Sequence, residues 1–101
     1  MKKFLMLFLL LLPMSAAAED ASISILNYKF VPETLTVKVG TKVTWKNADQ
    51  IPHGVATKEK LFRSPAIDTN ETWSFTYDKP GTYAYFCTLH PYMTGTVTVT
   101  Q

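Results

Sequence analysis

The chain reads as all-β, a β-sandwich of short strands whose reactive side chains gather in loops at one end. Three observations predict this. Short runs rich in β-branched and aromatic residues recur along the chain with turn residues between them. Several of these runs alternate in hydrophobicity with period two. No helical period, repeat or low-complexity tract follows residue 18, and the 83 residues after it are enough for one domain with a modest core.

The elements follow in order. Ser22 to Tyr28 (SISILNY) is a first strand. Thr34 to Val39 (TLTVKV) alternates, with Leu35, Val37 and Val39 on one face, and Gly40-Thr41 turns the chain. Lys42 to Asn47 (KVTWKN) points Val43 and Trp45 inward. The loop ADQIPHG follows, then a short strand at Val55 to Thr57. Lys58 to Glu71 has no clear period and reads as loop with a little extended structure. Thr72 to Tyr77 (TWSFTY) places Trp73, Phe75 and Tyr77 on one face. Asp78-Lys79-Pro80-Gly81 is a strong turn signal. Thr82 to Cys87 (TYAYFC) and Thr94 to Thr100 (TGTVTVT) complete the set. Pro32, Pro52, Pro65 and Pro80 fall between strands, where a missing backbone donor costs little.

The N-terminus reads differently. Lys2 and Lys3 precede an unbroken apolar run, Phe4 to Leu12, and Ala16-Ala17-Ala18 has the small-residue pattern of a signal-peptidase site. The run is far short of the roughly 20 apolar residues of a bilayer span. Residues 1–18 are therefore expected to be a cleaved secretory signal, leaving residues 19–101 as the exported domain, with no membrane attachment. Without Lys2 and Lys3, eight basic residues balance eight acidic ones. A near-neutral chain lacks the basic face that nucleic acid would require.

Export makes the cysteine count informative. Small exported domains usually pair their cysteines, yet Cys87 is the only one. It is a free thiol, a dimerising thiol or a metal ligand. Beyond residue 18 the chain has one methionine, Met93, and two histidines, His53 and His90. Three of these four groups lie in Cys87-Thr88-Leu89-His90-Pro91-Tyr92-Met93 (CTLHPYM). The fourth lies in Pro52-His53-Gly54. Strand 42–47 runs towards the His53 loop, strand 82–87 runs up to Cys87, and strand 94–100 runs back after Met93. In one sandwich both loops can sit at the same end.

Taken singly, each residue has a plainer reading: Met93 as core filler, Cys87 as a small buried hydrophobe, each histidine as a hydrogen-bonded or surface group. Taken together, two imidazoles, a thiolate and a weak thioether are the donors of a blue-copper electron-transfer site. Thiolate and thioether suit Cu(I), imidazole suits both oxidation states, and Pro91 stiffens the loop between His90 and Met93. Coordination also keeps the thiol deprotonated and unpaired.

On these residues the sequence resembles the cupredoxins, most closely their amicyanin branch. The compact Cys-x-x-His-x-x-Met spacing of CTLHPYM, with its proline after His90 and an aromatic at Tyr92, is similar to the amicyanin loop. Asn47 to Val55 (NADQIPHGV), the VTW of strand 42–47 and the PGTYAYFC approach to Cys87 fit as well. The similarity spans nearly all of residues 21–100. It implies a Greek-key sandwich of about eight strands holding one type 1 copper ion. His53, Cys87 and His90 would be its in-plane ligands and Met93 the weak axial one. It further implies a periplasmic one-electron carrier, with electrons crossing at the exposed edge of His90 to redox partners of cytochrome or dehydrogenase type.

Two positions depart from the family. Many cupredoxins carry Asn directly after the first histidine, where this chain has Gly54. Gly54 keeps its N–H and removes a side-chain partner of Thr88. Leu89 stands where proline is common and has an N–H that could reach the sulfur. An apolar apron of Ile51, Pro52, Pro91 and Tyr92 is expected around His90, and Lys58, Lys60 and Arg63 form a basic cluster that could steer an acidic partner. The competing readings are copper storage, delivery or resistance with the same ligands, and a Cys87–His90 nucleophilic dyad. The dyad lacks an oxyanion-hole motif, and so short a chain leaves little room for a substrate pocket. The chain is expected to be a monomer and not an enzyme.

Overall fold

The computed structural model describes residues 19–101, so the expected leader, residues 1–18, lies outside the described residues. Eight strands form two four-stranded sheets. In chain order they are β1 Asp20–Leu26, β2 Lys29–Val31, β3 Thr34–Lys38, β4 Lys42–Asn47, β5 Ala56–Thr57, β6 Thr72–Thr76, β7 Gly81–Phe86 and β8 Thr94–Thr100. One sheet has the order β2-β1-β4-β6 and the other β3-β8-β7-β5. Two pairings are parallel, β1 with β4 and β3 with β8; the rest are antiparallel. No helix occurs among the described residues.

The alternating patterns fall as the pleat requires. Ile23 and Ile25 on β1 and Val43 and Trp45 on β4 face Val37, Tyr85, Val97 and Val99 of the other sheet, and all are buried. Each such aliphatic side chain contributes about 1.5–3 kcal/mol of burial free energy. Trp45 and Tyr85 cross the gap edge to face, with ring centroids 5.4 Å apart, and Phe30 meets Tyr85 from the other side at 4.7 Å. These aromatic contacts fasten the two sheets together.

Two details differ from the sequence reading. The first strand ends at Leu26, and Asn27 and Tyr28 turn the chain with φ of +54° and +60° into β2, a strand too short to show a period. Val39 is exposed rather than inward, because β3 ends at Lys38 and Gly40 (φ +94°) swings the chain away. The aperiodic 58–71 segment is well anchored. Phe62 packs on Phe75 and Trp73 at 4.5 and 5.2 Å, Ile67 is buried, and Ala56 bridges Arg63.

The topology then sets the site. β4 and β1 run in parallel and end together at Asn47 and Ile25. β7 delivers Cys87 and β8 departs after Met93. The turn at Asn27–Tyr28, the loop carrying His53 and the loop carrying His90 all emerge at one end.

Candidate metal centre

Asn47, at the end of β4, organises the loop that carries His53. It is fully buried. Its side-chain amide donates to the carbonyls of Ile51 and Ile67, both at 2.8 Å, and its Oδ1 accepts the Asp49 N–H at 2.8 Å. His53 is pinned through its backbone as well: its N–H donates to Ile67 O at 3.1 Å and its carbonyl accepts from Ile67 N.

The ring of His53 is held by Asp49. Nε2 donates to Asp49 Oδ2 at 2.8 Å, with the imidazole fully buried. The same carboxylate accepts the N–H groups of Asn27 at 2.7 Å and Tyr28 at 3.0 Å. Burial alone would push the Asp49 carboxyl up, but the donors from Tyr28, Asn27 and His53 outweigh it and hold it below its ordinary value. With the proton on Nε2, the Nδ1 lone pair is left facing inward.

Nδ1 of His53 lies 3.5 Å from Cys87 Sγ. Nδ1 of His90 lies 3.8 Å from the same sulfur. The three donor atoms are all within 4.8 Å of one another, with His53 and Cys87 buried and His90 half-buried. The Gly54 N–H points at Cys87 Sγ at 3.5 Å. Cys87 is a buried free cysteine. The second loop is closed by two backbone bonds, Met93 N–H to His90 O at 2.9 Å and Cys87 N–H to Met93 O at 3.0 Å. Met93 is buried in the same core cluster as Cys87.

All four residues singled out from the sequence therefore converge on one end of the sandwich. The two departures resolve differently. Gly54 keeps its donor to the sulfur, and a Cβ there would overlap Thr88 Oγ1, so Thr88 occupies the space a side chain at 54 would need. The Leu89 N–H makes no bond to the sulfur; among the described residues Gly54 alone donates a backbone N–H to it. The apron expected around His90 keeps Tyr92, Pro52 and Pro91 at the surface and gains Leu89 and Tyr28. Leu89 and Tyr92 are 49% and 72% exposed. Tyr28, on the β1–β2 turn, stands edge-on to His90 at 5.2 Å and to His53 at 5.8 Å. Pro52 and Pro91 are exposed and Ile51 is only half so.

Sequence reasoning missed Asp49, Asn47 and Tyr28. The Asn47 and Asp49 roles carry a local signal, two short polar side chains just after a strand, where such groups bond nearby backbone. The pairing of Asp49 with the turn more than 20 residues upstream carries none.

A buried cluster of one thiol sulfur and two imidazole nitrogens, held in loops at one end of an all-β sandwich, defines a small metal-binding β-sandwich with soft and borderline donors. The chain matches the Cupredoxin-like domain family over residues 3–99 and belongs to that family. It is 38% identical over 89 residues to amicyanin-alpha of Methylorubrum extorquens, covering 83% of this chain and 75% of that protein. Among solved structures, a purple cupredoxin from Nitrosopumilus maritimus superposes with a TM-score of 0.76 at 34% identity, covering 79% of this chain and 99% of that one. The Cu(I) form of an amicyanin variant superposes with a TM-score of 0.75 at 35% identity, covering 83% and 85%.

Proposed function

We propose that the protein is a small type 1 copper protein that carries single electrons between redox partners. His53 Nδ1, Cys87 Sγ and His90 Nδ1 would hold the ion, with Met93 as the weak fourth donor. The observation that carries this reading is the donor cluster itself, three ligand atoms of fitting chemistry within 4.8 Å of one another and largely shielded from water. Bound copper supplies a one-electron Cu(I)/Cu(II) couple.

The residues around the cluster supply rigidity. Asp49 fixes the His53 ring and keeps the proton off the inward nitrogen. Gly54 aims an N–H at the sulfur, where it would draw charge from a metal-bound Cys87. The two backbone bonds across the His90 loop limit how far the donors can move. A cage that moves little between oxidation states keeps the cost of each transfer low. His90 is the half-buried member of the set, and its apolar rim of Leu89, Tyr92 and Tyr28 is the surface on which a cytochrome or dehydrogenase would dock. Lys2 and Lys3, the apolar run after them and Ala16-Ala17-Ala18 support export to the periplasm after removal of residues 1–18, and the burial of the lone thiol Cys87 within the donor cluster supports a monomer. N-terminal sequencing of the exported protein tests the cleavage after Ala18.

Voltammetry of the copper-loaded protein tests the carrier reading. A reversible one-electron couple that disappears in Cys87→Ser is expected. Tight copper binding without a reversible couple would instead favour storage or delivery of the metal.

A further inference from the structure

The open edge of the first sheet has no part in the metal centre. In the order β2-β1-β4-β6, β6 is terminal. Among the described residues no backbone bond reaches Thr72–Thr76 from the side away from β4. The other terminal strands are blunted. β2 has three residues, carries Lys29 and runs into Pro32; β3 ends in Lys38; β5 has two residues. β6 has five residues, and Thr72 to Tyr77 (TWSFTY) holds no charge, proline or glycine. An uncharged edge of β-branched and aromatic residues is a template for pairing with another chain.

Directly ahead of that edge stands Asn70-Glu71-Thr72 (NET), the one Asn-x-Ser/Thr tripeptide in the chain. This is the acceptor pattern for N-linked glycan on surface loops of exported proteins. Asn70 is the third residue of the turn Asp68–Glu71, which is closed by Glu71 N–H to Asp68 O at 2.9 Å. Its φ of +71° is one that asparagine tolerates better than most side chains. Its backbone N–H donates to Asn47 O at 2.7 Å. Its side chain is exposed and makes no hydrogen bond among the described residues. Asp68, Glu71 and Thr72 are exposed as well. Acid, amide and hydroxyl therefore recur at two-residue steps along Asp68-Thr69-Asn70-Glu71-Thr72, all at the surface.

We infer that Asn70 is a modification site, taking an N-linked oligosaccharide that shields the β6 edge. The inference rests on the export proposed above. The donor class is an oligosaccharide carried on a polyprenyl pyrophosphate, and the catalyst is a membrane transferase that meets the chain as it leaves the exporting membrane. Asn70 Nδ2 attacks the anomeric carbon. The C–N bond forms as the bond from that carbon to the pyrophosphate oxygen breaks. The lipid pyrophosphate leaves, and the amide proton passes to a base of the transferase. Thr72 offers the hydroxyl two residues on, and Asp68 a carboxylate for a basic acceptor groove. Transfer precedes folding, because the turn and the start of β6 are both hydrogen-bonded in the folded protein. After folding, the glycan stands in solvent at the start of β6, where its bulk and hydration hinder a second strand from docking.

The test is the intact mass of the protein recovered from the exported fraction of the cells that make it, with fragmentation of the peptide that spans Asn70. A chain beginning at Glu19 with one oligosaccharide on Asn70 is expected. Asn70→Gln and Thr72→Ala should each lose the added mass and Thr72→Ser should keep it, all with the copper spectrum of the parent. In light scattering at raised temperature, Asn70→Gln should associate several-fold faster than the modified parent. Adding Ser74→Lys should slow it again by placing a charge on the edge. A bare mass in the parent, whether or not residues 1–18 are removed, would overturn the inference, as would an added mass that persists in Asn70→Gln. Equal rates of association would overturn the shielding role. The mass does not depend on copper, so a parent that carries the oligosaccharide but lacks a redox couple would sink the carrier reading and uphold the modification.

Discussion

Asp49 and His53 are joined at 2.8 Å, and through that contact the β1–β2 turn and the His53 loop act as one unit. One carboxylate collects three N–H groups, two from the turn and one from the imidazole. Asp49→Ala releases all three. Hydrogen bonds to a buried charged acceptor contribute about 1.5–3 kcal/mol each when broken singly, and three sharing one acceptor are not additive. The variant is expected to lose about 2–4 kcal/mol in urea unfolding of the metal-free protein, and its copper affinity should fall by about 10–100-fold in competition with a chelator. Unchanged affinity would show that the His53 ring does not depend on this contact.

Asn47 has a comparable part in the loop's backbone. Its amide satisfies two carbonyls, those of Ile51 and Ile67, from a fully buried position. Asn47→Asp keeps the size and replaces both donated bonds with repulsion between acceptors. A loss of about 2–4 kcal/mol is expected, read by thermal or urea denaturation. Amide exchange at Ile67 and His53 should accelerate more than exchange in β7 and β8.

The space at Gly54 is taken by Thr88. Gly54→Ala should therefore cost about 1–3 kcal/mol. Thr88→Ala removes the oxygen that a new Cβ meets, so the double variant should recover most of that loss. A double-mutant cycle over the two positions checks this, with a coupling of about 1 kcal/mol or more expected. Additive losses would mean that Gly54 is required for its backbone and not for its missing side chain.

The core carries a pH signature. Tyr85 is fully buried, and its hydroxyl lacks a full hydrogen bond. Burial pushes its hydroxyl up to about 12; the Trp45 indole opposes this and the charge of Glu33 adds to it. In the unfolded chain a tyrosine ionises near pH 10. The fold thus favours the protonated phenol. Its contribution is complete below about pH 10 and is lost as the pH rises towards 12, at about 1.4 kcal/mol per pH unit in that window. Tyr77 is shifted in the same direction by the same cause. Urea unfolding across pH 9–12 should show this decline, and Tyr85→Phe should lessen it, leaving the part due to Tyr77. The same variant should be as stable as the parent or up to about 1 kcal/mol more so near neutrality, because it removes a buried hydroxyl that lacks a full hydrogen bond.

What the sequence disclosed was what local patterns encode. The alternation in TLTVKV and KVTWKN named the strands, and the grouping of Cys87, His90 and Met93 within one short loop pointed to the proposed donor set. Two things stayed hidden. β2 has three residues, too few for a period, and its turn is set by Asn27 and Tyr28 in left-handed backbone that no glycine announces. The supports of the site act across long separations: Asp49 reaches back to Asn27 and Tyr28, and Gly54 is shaped by Thr88. Such pairs depend on which strands lie side by side: the parallel pairing of β1 with β4 decides the first, and the antiparallel pairing of β5 with β7 decides the second.

The most direct test of the central claim is a titration of the purified metal-free protein with Cu(II), followed in the visible spectrum. One equivalent should produce an intense thiolate-to-copper charge-transfer band that is absent from Cys87→Ser and strongly altered in His53→Ala and His90→Ala. Failure to bind copper, or copper binding with no such band in the parent protein, would contradict the assignment of His53, Cys87 and His90 as the cage of a type 1 site.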